Sequence, residues 1–340
     1  MAGLPDQWAG PRCCRSGSRE RGADGRSRAP WGCGEGRART ARSAVGPGVA
    51  ARKDRPLLIW PTGHGPAGAG PPGSPARRGG ERDEGRCSWN AHKSWQPAIE
   101  ADLRASFTVI TYDRRGHGRS ETAPGQGTRR QDEDDLATLI EQLGPAPAHV
   151  AGNSFGASIV LGLAARRPEL FRSITVHEPP LIGVVADDPD SMAQLQPTMT
   201  SFDAVMDHLR NAENEQGAHL FAEEVAMGPG MWDQLPASLR ETFVTNAQTW
   251  LDEQTDPTWA ALDLDGLSAC TAPVLRSRSS ASPTWFSTVL ERLAMAMPQA
   301  QRQTFEGAGH IPHITHPQEY ATVLTRFIRA AGPHAPSPGQ

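Results

Sequence analysis

The chain is predicted to fold as an α/β protein with a mostly parallel central sheet, helices on both faces and an inserted helical lid. Three observations carry that expectation. From Arg55 onward, short apolar and β-branched runs alternate with stretches of helical spacing, the pattern of a parallel sheet covered on both sides. Between residues 182 and 265 helical spacing continues without a convincing strand, so this stretch reads as a lid set into the sheet domain. The sharpest turn signal, Gly152-Asn153-Ser154-Phe155-Gly156, stands between a strand and a helix.

Of the 340 residues, 35 are Gly, 30 are Pro and only 2 are Tyr, and the excess is concentrated outside this alternation. Residues 1–54 are rich in Gly, Arg, Ser and Ala with no apolar periodicity; such a tail cannot bury enough surface to offset its ordering entropy. A second stretch, 64–88, has the same character inside the sheet domain. Both have the composition that a GC-rich gene yields when read out of frame. A short tail, 332–340, closes the chain. The domain therefore comprises 55–181 and 266–331, with the lid at 182–265 and the anomalous insertion at 64–88.

The elements follow in order. Pro56 to Trp60 is an apolar run ending at Pro61-Thr62-Gly63, a buried strand meeting a turn. Trp95 to Arg104 has helical spacing, and Phe107 to Tyr112 is the clearest strand. Gln131 to Leu143 opens with acids and stops at Gly144-Pro145, as a helix should. The strand His149 to Gly152 leads into a helix from Phe155 to Arg167, and Ser173 to His177 is the next strand. After the lid, strands at Pro273–Arg276 and Gln303–Phe305 alternate with helices at Trp285–Met297 and Gln318–Ala331.

Charge and cysteines exclude several classes. A net charge of −4 demands neither a nucleic-acid nor a membrane partner. No apolar run approaches the roughly 20 residues that span a bilayer. With no apolar segment after the start, no secretory signal is read. Cys13, Cys14, Cys33, Cys87 and Cys270 are odd in number and irregularly spaced, which argues against a disulfide framework and for a reducing cytoplasm. They supply no zinc pattern either.

Parallel sheets place their sites at the carboxyl ends of strands, and the reactive residues of this chain fall there. In Gly152-Asn153-Ser154-Phe155-Gly156 the serine must stand on a strained strand-to-helix turn, where the glycines avoid collision. Ser154 is thus the candidate nucleophile. Phe155 is the candidate first oxyanion donor, and Gly63, after the first strand, the second. His310 follows the last strand among small residues and is the candidate base. The spacing His310, His313, His316 invites a metal reading, but Pro312 breaks the helical face and no carboxylate accompanies it; no metal or organic cofactor is expected.

The acid of such a triad is not where it is often found. Between Gly266 and His310 there is no Asp, and Ser279-Ser280-Ala281-Ser282-Pro283 fills the turn after the fifth strand. Glu291 and Glu306 are poorly placed. Glu178, directly after the strand that follows the nucleophile helix, can reach the far side of the imidazole instead. Two other readings stay open: Glu178 as a strand-end carboxylate bonded to the lid, and Asp113, which otherwise pairs with Arg114 or Arg115.

The stretches PTGHG, TYDRRGHGRS, GNSFGAS, VHEPPL and GAGHIPHITHP resemble the motifs of α/β-hydrolase fold serine hydrolases in their usual order. The combination of HEPP, GNSFGAS and GHIPHITHP is similar to the zearalenone-type lactonases, which take their acid as Glu from an HE-x-P segment. The resemblance covers roughly 56–63 and 94–331. It implies Ser154, Glu178 and His310 as triad, Gly63 and Phe155 as oxyanion donors, and Trp250 as a substrate contact, against which stands the plainer reading of a lid-core aromatic. Trp232, Trp250, Trp259, Phe221 and Phe243 of the lid are expected to line an apolar pocket. The expected activity is cleavage of a small carboxylic ester or lactone through an acyl-enzyme. A cofactor-free peroxidase or a C–C bond hydrolase would use the same triad. A non-catalytic ligand-binding relative would account for the empty Asp position, and an oxyanion turn disturbed by 64–88 would leave a feeble enzyme.

Overall fold

The computed structural model describes residues 56–61, 92–115, 120, 127–143 and 146–332. The expected tail 1–54, the insertion 64–88 and all but Gly332 of the closing tail lie outside these residues. Six strands, β1 (Leu57–Pro61), β2 (Thr108–Tyr112), β3 (Ala148–Asn153), β4 (Phe171–His177), β5 (Val274–Ser279) and β6 (Gln301–Phe305), form one sheet in the order β2-β1-β3-β4-β5-β6. Every neighbouring pair is parallel. Chain order reverses between β1 and β3, whose register pairs Leu58 with His149 and Ile59 with Val150. That reversal opens a crevice at the strands' carboxyl ends, the favoured place for a ligand in such sheets.

The pleat sends alternate side chains to opposite faces, and two separate cores result. Leu58, Ala151 and Leu275 join Trp95, Leu103, Phe305 and Tyr320 beneath a helical stretch over 92–106 and the helix Pro317–Ala330. Ile59, Val150 and Val274 belong to the other core, with the helices Arg129–Leu143, Phe155–Arg166 and Trp285–Ala296. The helix Phe155–Arg166 is buried from Gly156 to Ala164, as its nearly unbroken apolar sequence demands.

Between β4 and β5 the chain forms seven helical pieces and no strand among the described residues, the longest being Pro189–Arg210 and Ala237–Glu253. The expected helical lid is present, and its apolar side continues the second core through Leu195, Phe202, Val205 and Phe243. β6 begins earlier than its expected start at Gln303, because Gln301 and Arg302 pair with Leu275 and Arg276. Their polar, exposed side chains on an edge strand conceal it from an apolar pattern. No described helix is long and apolar enough to cross a membrane.

One local close approach explains the glycine two residues before Ser154. A Cβ at Gly152 would lie 2.6 Å from the Gly156 carbonyl oxygen and 2.7 Å from the backbone of Ala157. The obstacle is main chain on the next helix and cannot step aside. Gly152→Ala should therefore lower stability by about 1–3 kcal/mol, read as a reduced urea midpoint at unchanged m-value.

Candidate active site

Ser154 links β3 to the helix Phe155–Arg166 with φ 54° and ψ −127°. Three described non-glycine residues have positive φ: Ser154, Glu178 at 44° and Ala212. Such strain persists only where the surroundings over-determine it, and two of the three cases coincide with expected site residues. Around Ser154 the determinants are its N–H, which donates to the His177 carbonyl at 2.9 Å, and its carbonyl, which accepts from Ala157 and Ser158. The turn lifts the serine to the mouth of the crevice, where it lines a pocket together with His310 and Phe155. Phe155 is the first helical residue, and an N–H in that position has no acceptor within its own helix. Gly63 lies outside the described residues.

Glu178 leaves β4 at the same edge of the sheet and is fully buried. Its Oε2 lies 2.7 Å from His310 Nδ1. The turn that lacks an Asp supplies the remaining partners: the Ser279 N–H donates to Oε1 at 2.6 Å and the Ser282 hydroxyl to Oε2 at 2.8 Å. The serines after β5 thus act as donors to a carboxylate that arrives from β4. An Asp in that turn would set a second negative charge against Glu178. Of the open readings for Glu178, the bond to His310 is present, and its further partners come from the β5 turn and not from the lid.

His310 is itself buried. Asn153 Nδ2 donates to its carbonyl at 3.0 Å, tying the histidine loop to the residue before Ser154. Burial pushes the His310 imidazole below its ordinary value, although Glu178 beside it pulls the other way. Burial also pushes Glu178 up, but His177 and His310 more than reverse this and hold it well below the usual carboxylate range. A neutral imidazole against an ionised carboxylate places the proton on Nδ1, so Nε2 keeps its lone pair.

His177, Glu178 and His310 form a group whose ligating atoms lie within 4.8 Å of one another. To hold a cation, His310 Nδ1 would have to give up the proton it shares with Glu178, and Ser282 would have to release the same carboxylate oxygen. The donor set fits a hydrogen-bonded pair better than a metal centre. The three histidines at 310, 313 and 316 diverge. His313 is fully buried with its ring stacked on Trp95 at 3.7 Å, and His316 contacts Thr315 Oγ1. Asp113 is buried, its carbonyl accepting from Ser120. Arg114 pairs with Asp132 and Glu253, and Arg115 with Asp135.

Trp250, Phe221 and Phe243 line the pocket as expected from the lid. Trp250 also packs against Phe202 at 5.8 Å and Phe221 at 5.0 Å, so pocket wall and lid core are one position here. Trp232 and Trp259 do not line it: Trp232 packs edge-on to Phe243 and His219, and Trp259 against Phe202. The lid is thick enough for its aromatics to form a layer of their own behind the pocket wall. Residues not anticipated also reach the pocket, among them Trp95, Arg114, Phe202, Trp285 and Phe286. Arg114 lies over the Phe155 ring, 4.7 Å from its centroid. An apolar chamber with a serine, a histidine and a helix N-terminus at one wall can bind an uncharged acyl compound and stabilise negative charge developing on its carbonyl.

The profile of a protein family described as alpha/beta hydrolase fold matches residues 79–317. Among curated proteins the chain is similar to a putative carbamate hydrolase, RutD, of Caulobacter vibrioides, 27% identical over 253 residues that cover 70% of this chain and 86% of that protein. Among solved structures it resembles the carboxylesterase CesB of Bacillus subtilis, with a TM-score of 0.55, 19% identity, and 82% and 86% of the two chains covered. It also resembles a putative non-heme bromoperoxidase, BpoC, of Mycobacterium tuberculosis, with a TM-score of 0.55, 19% identity, and 82% and 93% covered. At those identities the two structures speak for the fold alone.

Proposed function

The chain belongs to the α/β-hydrolase fold family, and from that premise we propose that it is a serine hydrolase acting on small, uncharged carboxylic esters or lactones. Esterase and carbamate hydrolase relatives agree with a hydrolytic role. The observation that carries the reading is the 2.7 Å contact between His310 Nδ1 and Glu178 Oε2, at the same sheet edge as a strained Ser154.

In this mechanism His310 Nε2 takes the Ser154 proton as Oγ attacks the carbonyl carbon. Glu178 holds the tautomer and offsets the charge of the imidazolium. The oxyanion is received by the Phe155 N–H and, as the sequence suggests, by that of Gly63. The imidazolium returns its proton to the leaving alkoxide, and a water activated by the same histidine releases the acid. A lactone would give a single hydroxy acid by the same steps. That finer choice is supported by the motif resemblance and by a pocket whose lid wall is aromatic.

A non-catalytic binding role draws on the empty Asp position. The carboxylate that pairs with His310 from β4 removes that motive.

The test is a fluorophosphonate, with the adduct located by mass spectrometry. Rapid labelling at Ser154 is expected; a folded protein left unlabelled there would refute the proposal. A pH profile adds a second check. The base must be neutral, and burial depresses its proton affinity. Hence kcat/KM should hold as pH falls past the ordinary imidazole value of about 6.5 and drop only further down.

A further inference from the structure

We propose that Phe286 is a positioning residue for His310, and that Trp285 couples this positioning to the lid; the inference rests on the serine-hydrolase reading. The Phe286 ring lies face to face with the His310 imidazole, centroids 4.5 Å apart and planes 14° from parallel. On its other side Phe286 stacks on Trp285 at 3.8 Å and 27°. Trp285 Nε1 donates to the Val225 carbonyl at 3.1 Å, and Val225 belongs to the lid segment Phe221–Ala226. Phe202, from the lid helix Pro189–Arg210, meets the Trp285 edge at 6.5 Å. A continuous line thus runs from a lid carbonyl through two rings to the base.

The geometry leaves the imidazole little freedom. Its Nδ1 is fixed in direction by Glu178, but a single hydrogen bond allows the ring to swing about that axis. The flat face of Phe286 blocks the swing and keeps Nε2 aimed into the pocket. Both constraints come from one stretch of chain: Ser279 and Ser282 hold the carboxylate, and the helix that starts at Trp285 supplies the ring.

An aromatic face also favours a cation over it. It therefore assists the imidazolium that forms in the transition state. The charged or titratable groups around the ring are Glu178 and His177 from the end of β4 and His313 from the turn after it, with Arg114 and Glu253 across the pocket. None of these is altered by a change at Phe286.

The experiment compares wild type, Phe286→Leu, Phe286→Tyr and Trp285→Phe in a p-nitrophenyl ester assay and in fluorophosphonate labelling. Aromatic pairs contribute enough that Phe286→Leu should lower kcat and the labelling rate roughly 3- to 10-fold, with KM nearly constant. The acid limb of kcat/KM should move to lower pH by roughly half a unit. Phe286→Tyr keeps the face and should restore both. Trp285→Phe keeps the stack but loses the N–H to Val225, and should lower kcat with the acid limb in place. A Phe286→Leu enzyme with unchanged pH profile and labelling, or altered in KM alone, makes Phe286 a mere wall and overturns the proposal. Wild-type protein left unlabelled at Ser154 would sink the underlying reading and this inference with it.

Discussion

Glu178→Gln is expected to lower kcat/KM by about 10⁴-fold, and Ser154→Ala by about 10⁶-fold. Glutamine keeps the size and can still meet His310 Nδ1, but through the wrong pattern of donors. The Ser279 N–H and the Ser282 hydroxyl donate to the two carboxylate oxygens. An amide nitrogen placed at either would face a donor with a donor. Placed so as to accept from Ser279, the amide turns its NH₂ towards His310 and Ser282. His310 would then accept at Nδ1 and carry its proton on Nε2, where it cannot act as base. The ionised acid is also what stabilises the imidazolium, and its neutral replacement removes that as well. Because the residues act as a unit, the double variant should be no slower than Ser154→Ala alone. Purely additive losses would show that Glu178 works outside the triad. Ser282→Ala, which removes one donor and no acceptor, should cost far less than Glu178→Gln in the same assay.

Glu178 shows how far a sequence carries such a site and where it stops. Its place after the strand following the nucleophile helix, together with the lack of Asp between Gly266 and His310, was enough to nominate it. The serines of 279–282 read only as an absence of acid. Their role as donors depends on a contact between residues about a hundred positions apart, which no local pattern encodes. The strands of the sheet interior were legible because burial on both faces demands continuous apolar runs. β6 was legible only in part, since Gln301 and Arg302 are exposed. In the lid, aromatic composition announced a pocket but not which rings would face it. Trp250 faces it and Trp232 does not, and helical spacing alone gives no direction towards a site built from other elements. Phe286 and Arg114 were overlooked for the same reason: each has an ordinary local setting, and each acquires its role from a partner on a distant segment.

Arg114 carries the largest expected effect on stability. It is buried between Asp132 on the helix Arg129–Leu143 and Glu253 at the end of the lid helix Ala237–Glu253, with Asp132 Oδ2 at 2.8 Å. Burial opposes its charge, but Glu253 and Asp132 outweigh this and raise its proton affinity, so the guanidinium stays ionised. The neighbouring Asp256 accepts from the Arg129 N–H at 2.9 Å, so the lid grips the core at two adjacent points. Arg114→Met keeps most of the volume and the contact with Phe155 but withdraws the cation from two buried carboxylates. The expected loss is about 3–5 kcal/mol, a large share of the roughly 5–15 kcal/mol that holds most domains folded, and urea denaturation measures it. Removing the stranded charges as well, in Arg114→Met/Asp132→Asn/Glu253→Gln, should recover most of the loss, because the penalty comes from uncompensated charge and not from the missing pair as such. The single variant should also be rescued by acidification, which neutralises the two carboxylates, while the triple variant should gain nothing. If the single and triple variants are equally unstable at every pH, the arginine contributes through packing, and the lid is held by its apolar face alone.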